Sequence, residues 1–182
     1  MGLDMYLEKR SYVKNWPHMT AKQQYQVTVL KGGTPTKIKA ERVREIVEEV
    51  GYWRKANAIH RWFVDHVQDG DDNCRDYHVT DKHLRELLAL CNRVLEASEL
   101  VDGDVTNGYT FKDGKEVPIV EKGKVIKDPS VAKELLPTQD GFFFGMTDYD
   151  QWYLEDIEYT KNVLEQLLAE DPDGQYYYSS SW

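Results

Sequence analysis

The chain has 182 residues, enough for a complete hydrophobic core, and we expect residues 1–182 to form a single domain. Hydrophobic residues make up 41% of the chain, which excludes an intrinsically disordered protein. No segment approaches the roughly 18 uninterrupted apolar residues that a membrane span needs. The formal net charge of −9 argues against DNA or RNA as a direct partner, because phosphate binding requires clustered cations. This charge is typical of a solvated surface or of a protein that binds a basic partner.

The N-terminal residues and the cysteines indicate the cellular compartment. The sequence begins without the basic and apolar regions of a secretory signal. Cys74 and Cys91 do not form a disulfide framework, and Cys91 lies on an apolar helical stripe where a buried thiol is expected. We therefore expect a cytoplasmic protein, which for the origin considered below means the cytoplasm of a bacterial host.

The first fifty residues indicate two strands and one helix. Weak alternation of apolar and polar residues over 3–13 predicts an edge strand or the start of a hairpin, and clearer alternation over 25–30 predicts a second strand. Apolar residues at helical spacing over 43–50 predict a helix, although four of its residues are β-branched.

The stretch 51–68 is predicted to be the central helix of the fold. Its apolar stripe consists of Tyr52, Ala56, Ile59, Phe63 and Val67, and Trp53, His60, Trp62, Val64 and His66 widen it. The opposite face carries Arg54, Asn57, Arg61 and Asp65. So wide an apolar arc is typical of a core helix with neighbours on several sides.

The second half of the chain contains two firm helices. The first is capped by Thr80 or Asp81 and ends near Ser98, and the second follows a capping sequence at 147–150 and ends at 171–174. Between them, residues 105–127 are predicted to form a projecting insert of two short hairpins, with turns at 113–114 and 122–123.

Three shorter elements complete the prediction for the second half. A short helix is expected between Asp128 and Pro137, and a buried strand is expected at 141–145. Residues 176–182 are expected to form a terminal strand. The predicted fold class is α+β, with a few helices packed around the central helix and small antiparallel strands or hairpins.

The candidate metal sites are incomplete. Asp69, Asp71 and Asn73 match the start of a calcium loop, but Cys74 stands where glycine is required and Thr80 where glutamate is required. A zinc site built on Cys74 and His78 lacks a second pair of ligands. We therefore predict no metal and no cofactor.

A first candidate site lies on the predicted central helix. Asn57 and His60 share one edge of that helix, where an imidazole is a candidate general base or a hydrogen-bonded core residue. Arg54 and Arg61 are seven residues apart and can either clamp an anion or pair with carboxylates. Together with Trp53, these residues define the polar site of a small enzyme or ligand-binding protein.

A second candidate site lies at the start of the long C-terminal helix. Aromatic residues set among carboxylates are suited to binding a basic protein surface, although acidic residues also stabilise the first turns of a helix. The predicted partner-binding residues are Asp148, Asp150, Trp152, Glu155, Asp156, Glu158 and Tyr159.

Three stretches of the sequence carry a resemblance to known proteins. Residues 1–7, residues 52–63 and residues 136–149 with Tyr153 resemble a group of small phage and prophage proteins. Within that class, the length and type are similar to an anti-CRISPR protein that inhibits Cas9. The resemblance implies a non-enzymatic inhibitor that binds the Cas9–guide RNA complex, near the surfaces that read target DNA. The alternatives are the ligand-binding protein described above and a homodimer formed through Trp62 and residues 176–182.

Overall fold

In the computed structural model, which describes residues 2–141 and 144–182 apart from the side chain of Glu116, the chain has an α+β fold. Its strands are β1 (Asp4–Tyr12), β2 (Leu30–Lys31), β3 (Thr34–Pro35), β4 (Glu45–Arg54), β5 (Tyr77–Val79), β6 (Leu100–Lys112), β7 (Lys115–Ile126) and β8 (Tyr176–Ser181). Its helices are α1 (Asn57–Val67), α2 (Asp81–Ala97), α3 (Ser130–Leu135) and α4 (Gln151–Glu170), with a 3₁₀ turn at Ala40–Arg42.

The main sheet has four antiparallel strands in the order β4-β1-β8-β5. Met5 of β1 lies opposite Trp53 of β4 on one side and Ser180 of β8 on the other. The expectation of an edge strand at 3–13 was therefore wrong, because β1 is paired along both sides. Its alternation is weak because residues on its outer face are themselves partly covered.

The hydrophobic core lies between one face of the main sheet and the helices. The alternation of β1 directs Met5 and Leu7 into it, and Tyr178 enters from β8. The helices contribute fully buried residues at helical spacing, namely Ile59, Phe63, Leu84, Leu87, Ile157 and Leu164. Helices α2 and α4 pack against one another, as the apolar stripes of both helices predicted.

The helix expected over 43–50 was wrong, because this stretch lies mainly in β4. Its β-branched residues suit an extended backbone, and β1 supplies a complete antiparallel partner, with Arg10 opposite Val47 and Lys9 opposite Glu48. The helical spacing of the apolar residues was therefore overridden by strand pairing over a long sequence separation. As the outermost strand, β4 exposes Ile46 and Val47.

The predicted central helix begins six residues later than expected. Residues 51–54 complete β4, Lys55 adopts a positive φ of 63°, and α1 starts at Asn57. The Lys55 N–H donates to the carbonyl of Leu3 at 2.8 Å, which fixes this reversal against β1. Tyr52 and Trp53 therefore alternate across a sheet, so that Tyr52 is exposed and Trp53 is buried.

Residues 100–126 form one long hairpin rather than the two short hairpins expected. The turn at Asp113–Gly114 is confirmed by the positive φ of both residues, but Gly123 lies inside β7, opposite Gly103. This pair of glycines is required by packing, because a Cβ on Gly103 would lie 2.6 Å from a methyl group of Val125. The base of the hairpin is fixed to the start of α4 through a bridge between Val125 and Asp150.

The remaining elements agree in part with the sequence. The strand expected over 25–30 was wrong, since regular pairing begins at Leu30 and is limited to the small β2–β3 hairpin. The strand expected at 141–145 includes Phe142 and Phe143, which lie outside the described residues. The terminal strand is confirmed as β8 and the short helix as α3. None of the described helices is long and apolar enough to cross a membrane.

Candidate functional site

The side chain of Asn57 fastens a long loop to the start of α1. Its amide nitrogen donates to the carbonyls of Phe144 and Met146 at 3.0 and 2.8 Å, and its amide oxygen accepts from Gln139 N–H at 3.0 Å. The residue is 4% exposed. The sequence placed Asn57 on a solvated polar face, whereas these three bonds occupy its amide and give it a structural role.

His60 and Trp53 lie in the core. The His60 ring contacts the Tyr178 hydroxyl through Nδ1 at 2.8 Å and the Asp72 carboxylate through Nε2 at 3.0 Å, and it has no exposed surface. Burial raises the pKa of Tyr178 well above its usual value. Trp53 donates from Nε1 to Thr160 Oγ1 at 2.8 Å. Both side chains have hydrogen-bond partners, and neither lines the cavity described below.

The two arginines of the predicted polar site do not share a helix face. Arg54 is the last residue of β4, whereas Arg61 lies on α1, where it donates to the carbonyl of Thr138 at 3.3 Å and lies 3.6 Å from the Asp65 carboxylate. The proposed clamp depended on both residues belonging to one helix and is therefore wrong. Arg54, unlike Arg61, lines the cavity.

A cavity of about 460 Å³ brings part of each predicted site together. Its wall is formed by the β4–α1 connection at Arg54 and Lys55, by the loop at Gly145–Met146 and by the first turns of α4. The middle of β6 closes one side at residues 106–108. Two of the stretches that resemble the phage group, 52–63 and 136–149, meet at this cavity.

The first carboxylate of α4 has a structural role. Asp150 Oδ1 accepts from the N–H groups of Trp152 and Tyr153 at 3.0 Å, so Asp150 is the N-cap rather than the third position of a capping box that begins at Thr147. The residue is 2% exposed. Burial raises its pKa, against the opposing effect of the two N–H groups. Asp150 is therefore a buried member of the predicted partner-binding set.

The outer side of α4 exposes most of the other predicted partner-binding residues. Trp152 is 37% exposed, and Tyr159, which lies two helical turns later, is 42% exposed. Glu155 and Glu158 are exposed between them. Asp148 is exposed beside them, with its Oδ2 accepting from Thr106 N–H at 3.3 Å. These five residues are hereafter called the α4 face.

Asp156 differs from Glu155 and Glu158 because it is only partly exposed. Burial, followed by the charges of Glu155 and Asp150, raises the pKa of Asp156 to about 7. Among the described residues, none donates a hydrogen bond to its carboxylate. A carboxyl group with a raised pKa in a cavity wall is a candidate functional group.

Sequence reasoning missed the residues that complete the cavity. Lys55 adopts its unusual backbone conformation because the chain reverses from β4 into α1, and no local signal marks that position. The hairpin residues Thr106, Asn107 and Gly108 reach the cavity at an irregularity in β6, where one extra residue is inserted relative to β7. Both features follow from strand pairing, which the sequence does not specify locally.

Polar side chains of the acidic loop at 69–76 bond to one another and to other segments of the chain. Asn73 donates to Asp71 and to the Tyr77 hydroxyl, and Asp72 accepts from His60 and from Trp182 Nε1. Within residues 2–141 and 144–182, no group of three or more histidine, cysteine, aspartate or glutamate side chains is arranged to hold a metal ion.

Comparisons with known proteins assign no function to this site. No protein-family model matches the chain, and no curated protein or solved structure matches it at a significant level.

Proposed function

We propose that this protein is a non-enzymatic binding protein that uses the α4 face to bind a basic surface of another protein. The observation that carries the proposal is the simultaneous exposure of Trp152, Tyr159, Glu155 and Glu158 on one side of a well-packed helix. Exposed aromatic residues supply contact area at low entropic cost, and the surrounding carboxylates select and steer a cationic partner. The net charge of −9 also favours a basic partner.

The partner we propose is a Cas9–guide RNA complex, with this chain acting as a phage-encoded inhibitor in the host cytoplasm. Such a complex presents basic surfaces to the duplex next to the target and to the displaced strand. An acidic face that covers such a surface blocks target recognition or cleavage without contacting nucleic acid itself. The resemblance to the phage group and the exposed charge of α4 support this assignment.

The test of the partner is direct. The full chain is mixed with Cas9 loaded with guide RNA, and co-elution in gel filtration and cleavage of target DNA are measured. We expect a stoichiometric complex and loss of cleavage. Full cleavage at molar excess, together with separate elution, rules out the Cas9 assignment. The same column gives the oligomeric state. The homodimer expected through Trp62 is contradicted in that contact, because Trp62 is 3% exposed and belongs to the core.

The test of the face uses matched charge reversals. Glu155→Lys with Glu158→Lys changes two exposed carboxylates on α4, and Glu41→Lys with Glu134→Lys changes two exposed carboxylates elsewhere. Both double variants change the net charge equally. We expect the first to weaken binding by at least about tenfold and the second to have little effect, since local complementarity dominates. Equal loss in both variants would show that net charge, rather than the α4 face, drives binding.

A second candidate function is favoured by the cavity. A space of about 460 Å³ with convergent polar groups falls within the usual size range of small-ligand sites, about 300–1,000 Å³. In this alternative the protein binds or transforms a small molecule beside Arg54 and Asp156 rather than beside His60. Native mass spectrometry of protein purified from its host tests it, since a retained small molecule supports this function and a bare chain opposes it.

A further inference from the structure

The cavity carries more negative than positive charge. Four carboxylates line it, against two cations, Arg54 and Lys55; the carboxylates are Asp148, Asp150, Glu155 and Asp156. Within the described residues, neither cation lies within 4.0 Å of any of these carboxylates, and none of the six side chains takes part in another ion pair. The two cations therefore do not neutralise the cavity through direct contacts.

Asp156 is the carboxylate with the least support from the protein. The carboxyl group of Asp150 is bonded to the start of α4, and that of Asp148 accepts from the hairpin. Asp156 lies six residues after Asp150 on α4. It has no donor among the described residues, and Glu155 and Asp150 add repulsion. A carboxylate that lines a cavity without a donor from the protein is an open acceptor for a cation that donates hydrogen bonds.

Trp152 places an aromatic surface at the same cavity. Trp152 lines the cavity and is also 37% exposed, so it belongs both to the cavity and to the α4 face. Planar guanidinium groups stack on aromatic rings and are more weakly hydrated than ammonium groups. The combination of an indole with an unpaired carboxylate therefore favours an arginine over a lysine.

We propose that the cavity is the receptor for an arginine side chain of the basic partner, with its guanidinium group bonded to Asp156 and stacked on Trp152. The proposal rests on the proposed function, because it assigns the central contact of that interface. The cavity is larger than a single side chain, so water fills the remainder. Anionic ligands are disfavoured by the excess of carboxylates.

The probe is Nα-acetyl-arginine amide, and the control probe is Nα-acetyl-citrulline amide, which has nearly the same shape without the charge. Each is titrated into the full chain at millimolar concentration. Binding is followed by NMR through the Trp152 indole resonance, assigned with Trp152→Phe, and through the carboxyl resonance of Asp156. We expect the arginine amide to shift both resonances and to lower the pKa of Asp156, and we expect the citrulline amide to do neither.

The matched variants are Asp156→Asn and Asp173→Asn, the second at an exposed position after α4. We expect Asp156→Asn to weaken arginine amide binding by at least about tenfold and Asp173→Asn to leave it unchanged. Equal binding of the two probes, equal binding of a lysine amide, or no effect of Asp156→Asn would overturn the proposal.

The two proposals fail in different ways. If Cas9–guide RNA co-elutes with the chain and Asp156→Asn binds it as tightly as the natural chain does, the arginine receptor is wrong and the proposed function stands. If the arginine amide binds through Asp156 and Cas9–guide RNA does not co-elute, the receptor stands and the partner is a different basic protein.

Discussion

At the scale of single residues, burial decides which of the functional-looking side chains are free to act. Asn57, His60 and Asp150 have the chemistry of a site, but each is less than 5% exposed and engaged in hydrogen bonds. Asp156 combines partial burial with a carboxyl group that has no described donor. The identity of a residue in the sequence does not distinguish these two situations, because the partners come from distant segments.

We predict that Asn57→Ala lowers the free energy of unfolding by about 2–4 kcal/mol, because three backbone groups of the loop lose their partner. Urea denaturation measures the change. Asn162→Ala, at an exposed position of α4, is the control and should change stability by less than about 0.5 kcal/mol. A loss of similar size in both variants would contradict the role assigned to Asn57.

The raised pKa of Asp156 predicts that the stability of the fold depends on pH. Its pKa is raised from 3.8 in the unfolded reference to about 7 in the folded chain, so the folded state binds the proton more tightly. The resulting stabilisation is fully present below about pH 4 and is lost as the pH rises toward 7. Relative to Asp156→Asn, the free energy of unfolding should fall by up to about 1.4 kcal/mol per pH unit across this range. Parallel pH profiles of the two proteins would refute the shift.

At the scale of elements, the sequence specified helices better than strands. Helices α2 and α4 follow from their stripes and caps, since the information is local. The end of β4 was assigned to a helix because Tyr52 and Ile59 fit one helical stripe that Trp53 widened, whereas Trp53 belongs to the sheet, opposite Met5. Of the candidate site, the exposed part of the α4 face was predictable from its spacing, and the cavity was not.

The hairpin gives a prediction at this scale. Gly103→Ala introduces a Cβ against Val125 near the hairpin base and should destabilise the chain by about 1–3 kcal/mol through overpacking. Hydrogen exchange should locate the loss of protection in β6 and β7. Thr110→Ala, at an exposed position near the tip, is the control. If protection at the base is unchanged, Val125 has moved aside at little cost.

At the scale of the whole molecule, charge sets the kinetics of the proposed encounter. With a net charge of −9, the association rate with a basic partner should fall steeply as salt is raised, because the Debye length shortens from about 10 Å at 0.1 M to about 3 Å at 1 M. Stopped-flow measurements with Cas9–guide RNA test this expectation. The double variant Glu155→Lys with Glu158→Lys should show a shallower salt dependence, and a rate independent of salt would contradict electrostatic steering.

The hydrogen bonds by which Asn57 holds the loop affect the affinity of the cavity for a ligand. Because the loop is held at Phe144 and Met146 by the same amide, this wall of the cavity is already in place before any ligand arrives. A preorganised wall spares the complex the entropy loss of ordering a loop, which otherwise subtracts directly from the binding free energy. Asn57 therefore supports the proposed recognition by holding this wall in place, and its loss should weaken capture at a cavity whose charges are unchanged, in addition to lowering the stability of the fold.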